Sequence, residues 1–173
     1  GNIIKWKDKA IVTDKIFTEN KEIRKTEIID ELERLLEIKI LVVPAYPGEE
    51  TGHADGLVRF IDSDTVVTYN LDIENEGEGR KWKENFLKTF EENNIEVKML
   101  PPVSEKDDAN NWAYLNFLQV KDLIILPVFY RDSDKTMLSF FKETFKTNIE
   151  TVYSQNILNQ EGVLNCFTWN IKK

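Results

Sequence analysis

The sequence predicts a mixed α/β fold built from a strand-strand-helix-strand module that occurs three times. Three short segments share an apolar run, a tight polar turn and a second β-rich run, which is typical of a β-hairpin. Their turn aspartates, Asp8, Asp64 and Asp122, lie 56 and 58 positions apart, so the period is nearly constant. The length of 173 residues fits a single domain, with modules at roughly 1–50, 51–103 and 104–173.

Each module has the same predicted order of elements. The hairpins lie in "KWKDKAIVT", "FIDSDTVVTYN" and "LQVKDLIILPV". An amphipathic helix with apolar residues at i, i+3 and i+4 follows each hairpin. The three apolar stripes are Ile28, Ile29, Leu32, Leu35 and Leu36; Trp82, Phe86, Leu87 and Phe90; and Met137, Leu138, Phe141 and Phe145. A short strand then follows in "IKILVVPA", "IEVKML" and "IETVYS", and "GVLNCFTWNI" predicts a last strand.

Composition bounds the class of protein. The chain is 41% hydrophobic and 31% charged, which suits a folded domain with a buried core. A net charge of -8 argues against a nucleic-acid partner, and no apolar run is long enough to span a bilayer. The single cysteine excludes an internal disulfide and permits a reducing compartment, so we expect a cytoplasmic protein. One cysteine and one histidine also argue against a structural zinc site.

The only histidine lies in "TGHADGLVRF", between Gly52 and Gly56. If this segment is extended, residues two apart point to the same face, and His53 would project beside Asp55. The flanking glycines would let a ligand approach the backbone closely. His53 and Asp55 are therefore candidate site residues, although a lone histidine is more often a structural imidazole.

The only cysteine, Cys166, lies in a predicted strand in "EGVLNCFTWN". A lone cysteine in a strand is usually a small buried hydrophobe. One thiol together with one imidazole is, however, the minimum set for nucleophilic catalysis.

Two further polar residues stand in otherwise apolar or helical patterns. Asn116 lies in the predicted strand "WAYLNFLQV", where a buried amide must find hydrogen bonds. It either braces the backbone or orients a ligand or the thiol. Asp134 fits the N-cap of the third helix, which is a structural role.

Four segments, in order along the chain, resemble the agmatine deiminases and the Porphyromonas-type peptidylarginine deiminases of the guanidino-modifying pentein superfamily. They are "GHADGLVRF", "WAYLNFLQV" with "LIILPVF", "DSDKTMLSFF" and "EGVLNCFTWNI". The resemblance implies a pentein-type α/β propeller with five modules, of which this chain would hold the last three. It would then be a C-terminal part.

Two departures from the family pattern stand out. Gly1 and Asn2 resemble the end of the family's acid-Gly-Gly-Asn segment, whose acidic residue would lie upstream of residue 1 together with a Trp-Arg-Asp region. Near the cysteine, Glu161 stands where one glycine is expected and Gly162 keeps the other. Because two substrate-binding carboxylates would be upstream, we expect little turnover from these residues alone. We also expect self-association or association with an N-terminal half.

The resemblance implies a C–N hydrolase that acts on a small guanidino substrate or an arginine side chain, without metal or organic cofactor. Cys166 would attack the guanidinium carbon and form a thiouronium intermediate. Asp55 would hold the guanidinium nitrogens, and His53 would serve as acid and base. Asn116 would bind substrate or assist near the thiol. The side chains of His53, Asp55 and Cys166 would converge in one cleft, on strands from different modules. Agmatine, arginine and peptidylarginine stay open as substrates. With agmatine, the reaction would belong to putrescine biosynthesis.

Two other functions stay open at this stage. One is a catalytically inactive pentein-like binding or assembly module, and the other is a structural α/β repeat domain without a ligand. The last requires Cys166 to be buried and inert.

Overall fold

A computed structural model describes residues 1–103, 110–160 and 162–168. The chain divides into two compact units. The first comprises Gly1–Val67 and Leu71–Lys98, and the second comprises Thr68–Asn70 and Met99–Lys173.

The first sheet of the first unit has three strands in the order β1-β2-β3. Strand β1 (Ile4–Trp6) pairs antiparallel with β2 (Lys9–Thr13), and β3 (Lys39–Val43) pairs parallel with β2. The turn between β1 and β2 contains the predicted Asp8, preceded by Lys7 in the left-handed region at a φ of 38°. Helices α1 (Lys15–Glu19) and α2 (Lys25–Leu36) connect β2 to β3, as a parallel pair requires a crossover.

Helix α2 covers one face of this sheet with part of its apolar stripe. Ile29, Leu32 and Leu36 pack against the buried Ala10, Val12, Ile38 and Ile40. Leu35, which the stripe predicted to be buried, is 60% exposed. At 100° per residue, Leu35 is turned away from the sheet that its neighbours Leu32 and Leu36 contact.

The second sheet has the order β4-β5-β6, with β4 at Val58–Phe60, β5 at Thr65–Thr68 and β6 at Glu96–Met99. Helix α3 (Gly77–Glu92) lies between β5 and β6 in the chain. Its predicted stripe is confirmed at Trp82, Phe86 and Phe90, which are buried, whereas Leu87 is half-buried. The Trp82 and Phe86 rings are stacked with centroids 4.9 Å apart, and Phe90 packs edge-on against Phe86 at 5.1 Å.

The second unit repeats the arrangement of the first sheet. Strand β7 (Leu118–Val120) pairs antiparallel with β8 (Leu123–Val128), which pairs parallel with β9 (Asn148–Tyr153). Helix α4 (Ser133–Thr144) makes the crossover, and α5 (Gln155–Leu158) follows β9. Phe117 packs edge-on against Phe141 and Phe145, with centroids 5.3 and 5.5 Å away. The third hairpin turn has Lys121 at a φ of 44° before the predicted Asp122, as Lys7 precedes Asp8.

Two predicted strands are wrong. The first part of "WAYLNFLQV" belongs to a 3-10 helix at Asn110–Leu115, so Asn116 follows a helix rather than lying within a strand. The five consecutive residues 113–117 are all buried, whereas a sheet exposed on one side would alternate. The described part of "GVLNCFTWNI" forms a turn at residues 164–167, in which the Phe167 N–H donates to the Leu164 carbonyl (3.3 Å).

The structure therefore confirms a mixed α/β fold with three small sheets, each flanked in the chain by a helix between its second and third strands. The propeller arrangement, the number of repeats and the module boundaries stay predictions. Across the described ranges, no helix combines the length and apolar character that crossing a membrane requires.

Asp134 has a structural role, but it is not the N-cap of α4. The N-cap is Asp132, and Asp134 lies in the first turn. Its carboxylate accepts the backbone N–H groups of Phe129 (3.1 Å) and Arg131 (3.0 Å). It also accepts the hydroxyl of Tyr114 (2.7 Å), which lies 2.9 Å from the Ser133 hydroxyl. Asp134 therefore ties the turn after β8 to the 3-10 helix that precedes Asn116.

Replacing Tyr114 by phenylalanine should lower the free energy of unfolding by about 1–3 kcal/mol at neutral pH, because Asp134 and Ser133 lose a buried partner. Burial raises the pKa of Tyr114, and the Asp134 carboxylate raises it further. Above a pH of about 10 the unfolded chain loses this proton while the folded chain keeps it, so the wild type loses stability as pH rises. The stability gap between wild type and Tyr114→Phe should therefore narrow in urea titrations above that pH.

Tyr153→Phe is a matched control, since Tyr153 is 42% exposed. It should change the unfolding free energy little at either pH. If the difference in unfolding free energy between wild type and Tyr114→Phe stayed constant from neutral to alkaline pH, the proposed role of the buried hydroxyl would be contradicted.

Candidate active site

His53 and Asp55 lie in the first unit, in the connection between β3 and β4. His53 is extended, with φ -78° and ψ 146°, and a 3-10 helix begins directly after it at Ala54–Gly56. The prediction that His53 and Asp55 occupy one face of one strand is therefore wrong, because the backbone turns between them. His53 is exposed, whereas only 2% of Asp55 is exposed.

Both side chains nevertheless lie against Gly1. A Cβ atom on Gly1 would lie 2.2 Å from His53 Nδ1 and 3.0 Å from Asp55 Oδ1. The backbone N–H of Asp55 also donates to the Gly1 carbonyl at 3.1 Å. The imidazole and the carboxylate thus occupy the space that a side chain at position 1 would need.

Asn2 and Thr13 fasten this arrangement to the first sheet. Asn2 Oδ1 accepts the backbone N–H of Thr13 at 3.0 Å. The Thr13 hydroxyl is fully buried and lies 2.5 Å from the Gly52 carbonyl and 2.9 Å from Asn2 Oδ1. Thr13 therefore joins the end of β2 both to the residue after Gly1 and to the residue before His53, a contact that the sequence did not indicate.

The loop that leads to His53 is held at several points. The Trp82 indole donates to the Pro44 carbonyl at 3.0 Å, and the Tyr46 hydroxyl donates to the Glu74 carboxylate at 2.9 Å. Burial raises the pKa of Tyr46, and the bond to Glu74 raises it further.

Nearer the histidine, Gly52 has a φ of +60°, a conformation that favours glycine. The close approach of a ligand that the sequence predicted at Gly52 and Gly56 stays a prediction.

Asn116 and Cys166 lie in the second unit and contact each other through both ends of the Asn116 amide. Asn116 Nδ2 donates to Cys166 Sγ at 3.2 Å, and Asn116 Oδ1 accepts the Cys166 backbone N–H at 3.1 Å. The Asn116 carbonyl also accepts the Asn165 N–H at 3.0 Å. Asn116 is 1% exposed, whereas Cys166 is exposed, so a buried amide holds an accessible thiol.

Gly162 allows the chain to pass close beside the thiol. A Cβ atom at this position would lie 3.0 Å from Phe167 Cε2 and 3.2 Å from Cys166 Cβ. Any larger residue would press on the turn that carries the cysteine. The expected departure at Glu161 lies outside the described residues.

The predicted site residues thus form two pairs, one in each compact unit: His53 with Asp55, and Asn116 with Cys166. The convergence of the two pairs in one cleft stays a prediction. Over residues 1–103, 110–160 and 162–168, no group of three or more His, Cys, Asp or Glu side chains is placed to hold a metal ion.

The model of the Porphyromonas-type peptidyl-arginine deiminases matches residues 7–171 of the chain. The chain belongs to this family. The comparison with curated protein sequences gave no match.

Solved structures extend the relationship at the level of the fold. An agmatine deiminase from Enterococcus faecalis has a TM-score of 0.74 at 19% identity, with 95% of this chain and 54% of that chain covered. An agmatine deiminase from C. jejuni has a TM-score of 0.70 at 22% identity, with 96% and 53% covered. A more distant similarity, to a dimethylarginine dimethylaminohydrolase adduct, has a TM-score of 0.55 at 11% identity over 96% of this chain and 54% of that one. The chain thus spans about half the length of these structures.

Substituting Gly1 by alanine should displace the His53 imidazole, because a Cβ atom cannot lie 2.2 Å from a ring nitrogen. His53 is the only histidine in the 173 residues, so its ring gives a single set of imidazole signals in an NMR spectrum. We expect these signals to shift in Gly1→Ala, with loss of order in the ring.

Gly48→Ala is a suitable control, since a Cβ atom there has no neighbour within 4 Å although its φ is +79°. It should strain the loop without moving the imidazole signals. Unchanged signals in Gly1→Ala would show that His53 does not pack on Gly1.

Proposed function

We propose that the chain carries the nucleophile, the acid/base residue and one substrate-binding carboxylate of a guanidino deiminase, a C–N hydrolase of the agmatine deiminase type. The observation that carries the proposal is the accessible Cys166 thiol, whose sulfur accepts a hydrogen bond from a buried amide. An inert structural cysteine is usually buried in apolar surroundings, whereas a reactive one is partly exposed and held by polar groups. Membership of the deiminase family supports the same conclusion.

The proposed reaction begins when the Cys166 thiolate attacks the guanidinium carbon and a C–S bond forms. The C–N bond to one terminal nitrogen then breaks, and His53 supplies the proton with which ammonia leaves. A thiouronium intermediate remains on the sulfur. Water adds to its carbon, His53 accepts a proton from that water, and the C–S bond breaks. The second proton of the water is released as the C=O bond forms and is taken up by the ammonia in solution, so the products are a ureido compound and ammonium, and the thiolate is restored.

Asp55 is proposed to bind the substrate rather than to react. A carboxylate accepts two parallel N–H bonds from a planar guanidinium, a geometry that adds both energy and orientation. Asp55 is 2% exposed, so a hydrogen bond to it is screened little by water. Asp55 and His53 both lie beside Gly1. A guanidinium bound by Asp55 would therefore have its nitrogens next to the acid/base residue His53.

Agmatine is our first choice of substrate, and arginine and a peptide that ends in arginine are the alternatives. Two of the similar solved structures are agmatine deiminases, and the matching family is named for peptidyl-arginine. Because the reaction needs a free thiol, we propose a reducing compartment, with the cytoplasm as the location. Association of the chain with itself or with an N-terminal half stays a prediction.

The direct test is ammonia release from agmatine, arginine and an arginine-terminated peptide. Any release should disappear in Cys166→Ser. In Asp55→Asn, the kcat/KM for ammonia release should fall by about 10- to 100-fold, since a hydrogen bond to a charged group contributes roughly 1.5–3 kcal/mol. Thr168→Ala is a control that alters the cysteine turn, because Thr168 Oγ1 donates to the Leu164 carbonyl (2.8 Å) without contacting the sulfur. Binding of agmatine without ammonia release in the wild type would support an inactive binding module instead.

A second test does not depend on turnover. A haloacetamidine carries an amidinium that resembles the guanidinium, so Asp55 should recruit it to Cys166. We expect the wild type to react faster with this reagent than with the uncharged iodoacetamide, and Asp55→Asn to lose that preference. Equal rate ratios in wild type and Asp55→Asn would exclude recruitment by Asp55.

A further inference from the structure

We propose that Asn116 is a positioning residue for Cys166, and that it sets the place and the ionised form of the sulfur instead of binding the substrate. The inference rests on the proposed function in one respect, that Cys166 is the nucleophile. The sequence left a backbone brace, a ligand-orienting group and a thiol-orienting group open for Asn116. The inference selects the last and adds an effect on ionisation, because both ends of the amide face the cysteine.

Hydrogen-bond chemistry fixes the orientation of the Asn116 amide. The Cys166 backbone N–H can only donate, so the side-chain atom 3.1 Å from it must be the oxygen. The amide nitrogen therefore faces Sγ at 3.2 Å, and since an NH₂ group can only donate, the sulfur is the acceptor. The reversed amide would place two donors against each other at the backbone of Cys166.

The nature of the acceptor decides what this bond favours. A thiol sulfur is a weak acceptor, whereas a thiolate carries a full charge and forms a stronger, charge-assisted bond. A donor that bonds better to the charged form favours that form. Asn116 therefore stabilises the nucleophile as well as holding it.

The position of Asn116 is itself fixed by the core of the second unit. Its neighbours Leu115 and Phe117 are fully buried, and its own N–H donates to the Ala113 carbonyl at 3.3 Å. Three bonds, two from the side chain and one from the backbone carbonyl, join residue 116 to residues 165 and 166. The aromatic core around Phe117 thus determines where the sulfur lies.

Asn116→Asp separates the two functions of the amide. Aspartate has the same shape and keeps an oxygen to accept the Cys166 N–H, but it replaces the donor to the sulfur by a carboxylate oxygen. Cys166 is the only cysteine in the chain, so alkylation by iodoacetamide reports on this thiol alone. We expect Asn116→Asp to be alkylated about tenfold more slowly at pH 7 or below, because a nearby like charge shifts a titration by about one unit or more. Thr168→Ala, which changes the same turn without touching the sulfur, should stay within about twofold of the wild type.

A purely structural brace would give a different result. Because the carboxylate of Asn116→Asp would repel the thiolate in either case, this comparison uses Asn116→Leu, which has a similar size but neither a donor nor a charge. A brace without influence on ionisation would leave the pH midpoint of the thiolate ultraviolet absorbance in Asn116→Leu equal to that in Thr168→Ala. That result would overturn the proposal. No substrate takes part in the measurement, so it is independent of whether the chain is a deiminase.

Two further measurements keep the proposal open to refutation. If Asn116→Asp does not fold, the folded wild type is compared with the urea-unfolded wild type, and the folded thiol should react several-fold faster although it is less accessible. A folded thiol that reacts no faster than the unfolded one would overturn the proposal. Where ammonia release is measurable, Asn116→Asp should lower kcat with little change in KM, whereas a raised KM at constant kcat would make Asn116 a substrate-binding residue.

Discussion

The buried amide of Asn116 is the constraint on which the second unit's candidate chemistry depends. An amide excluded from water must form its hydrogen bonds within the protein, and leaving one of its groups unpaired costs about 1–3 kcal/mol. Here Cys166 supplies both an acceptor and a donor. The cysteine turn is therefore held to the core by a residue 50 positions earlier in the chain, although the thiol itself remains accessible.

In the first unit, small residues position the candidate site residues, as the asparagine amide does in the second. Gly1 leaves the space in which the His53 imidazole and the Asp55 carboxylate lie, and Gly52 provides the left-handed turn before the histidine. Thr13 connects these segments through its buried hydroxyl. The proposed acid/base group, His53, and the proposed orienting carboxylate, Asp55, both lie against Gly1 without sharing a regular strand.

Membership of the deiminase family supports the proposal that these two pairs of residues serve one reaction. The fold similarity to agmatine deiminases covers at least 95% of this chain but only about half of theirs. A guanidinium-binding site requires carboxylates around a planar cation, and Asp55 is the buried carboxylate that the described residues place beside the histidine. Cys166, the proposed nucleophile, and Asn116, the proposed positioning residue, lie within the second unit, so the thiol can be tested separately from the reaction.

The sequence by itself determined the strand-strand-helix-strand order of each sheet and its crossover helix, because hydrophobic periodicity is a local property, but it did not indicate the short helices α1 and α5. The turns at Asp8 and Asp122 and the stripe of α3 are where the pattern predicted them. Periodicity failed around Asn116, where consecutive residues are all buried, and around Cys166, where the chain turns without regular alternation. It also failed at Leu35, because the pattern does not show how far the sheet extends beneath the helix. The candidate residues could be named from their types and from a family resemblance, but their contacts could not. Only the tertiary structure decided that His53 and Asp55 both lie against Gly1 and that Asn116 faces Cys166, because each contact joins residues about 50 positions apart.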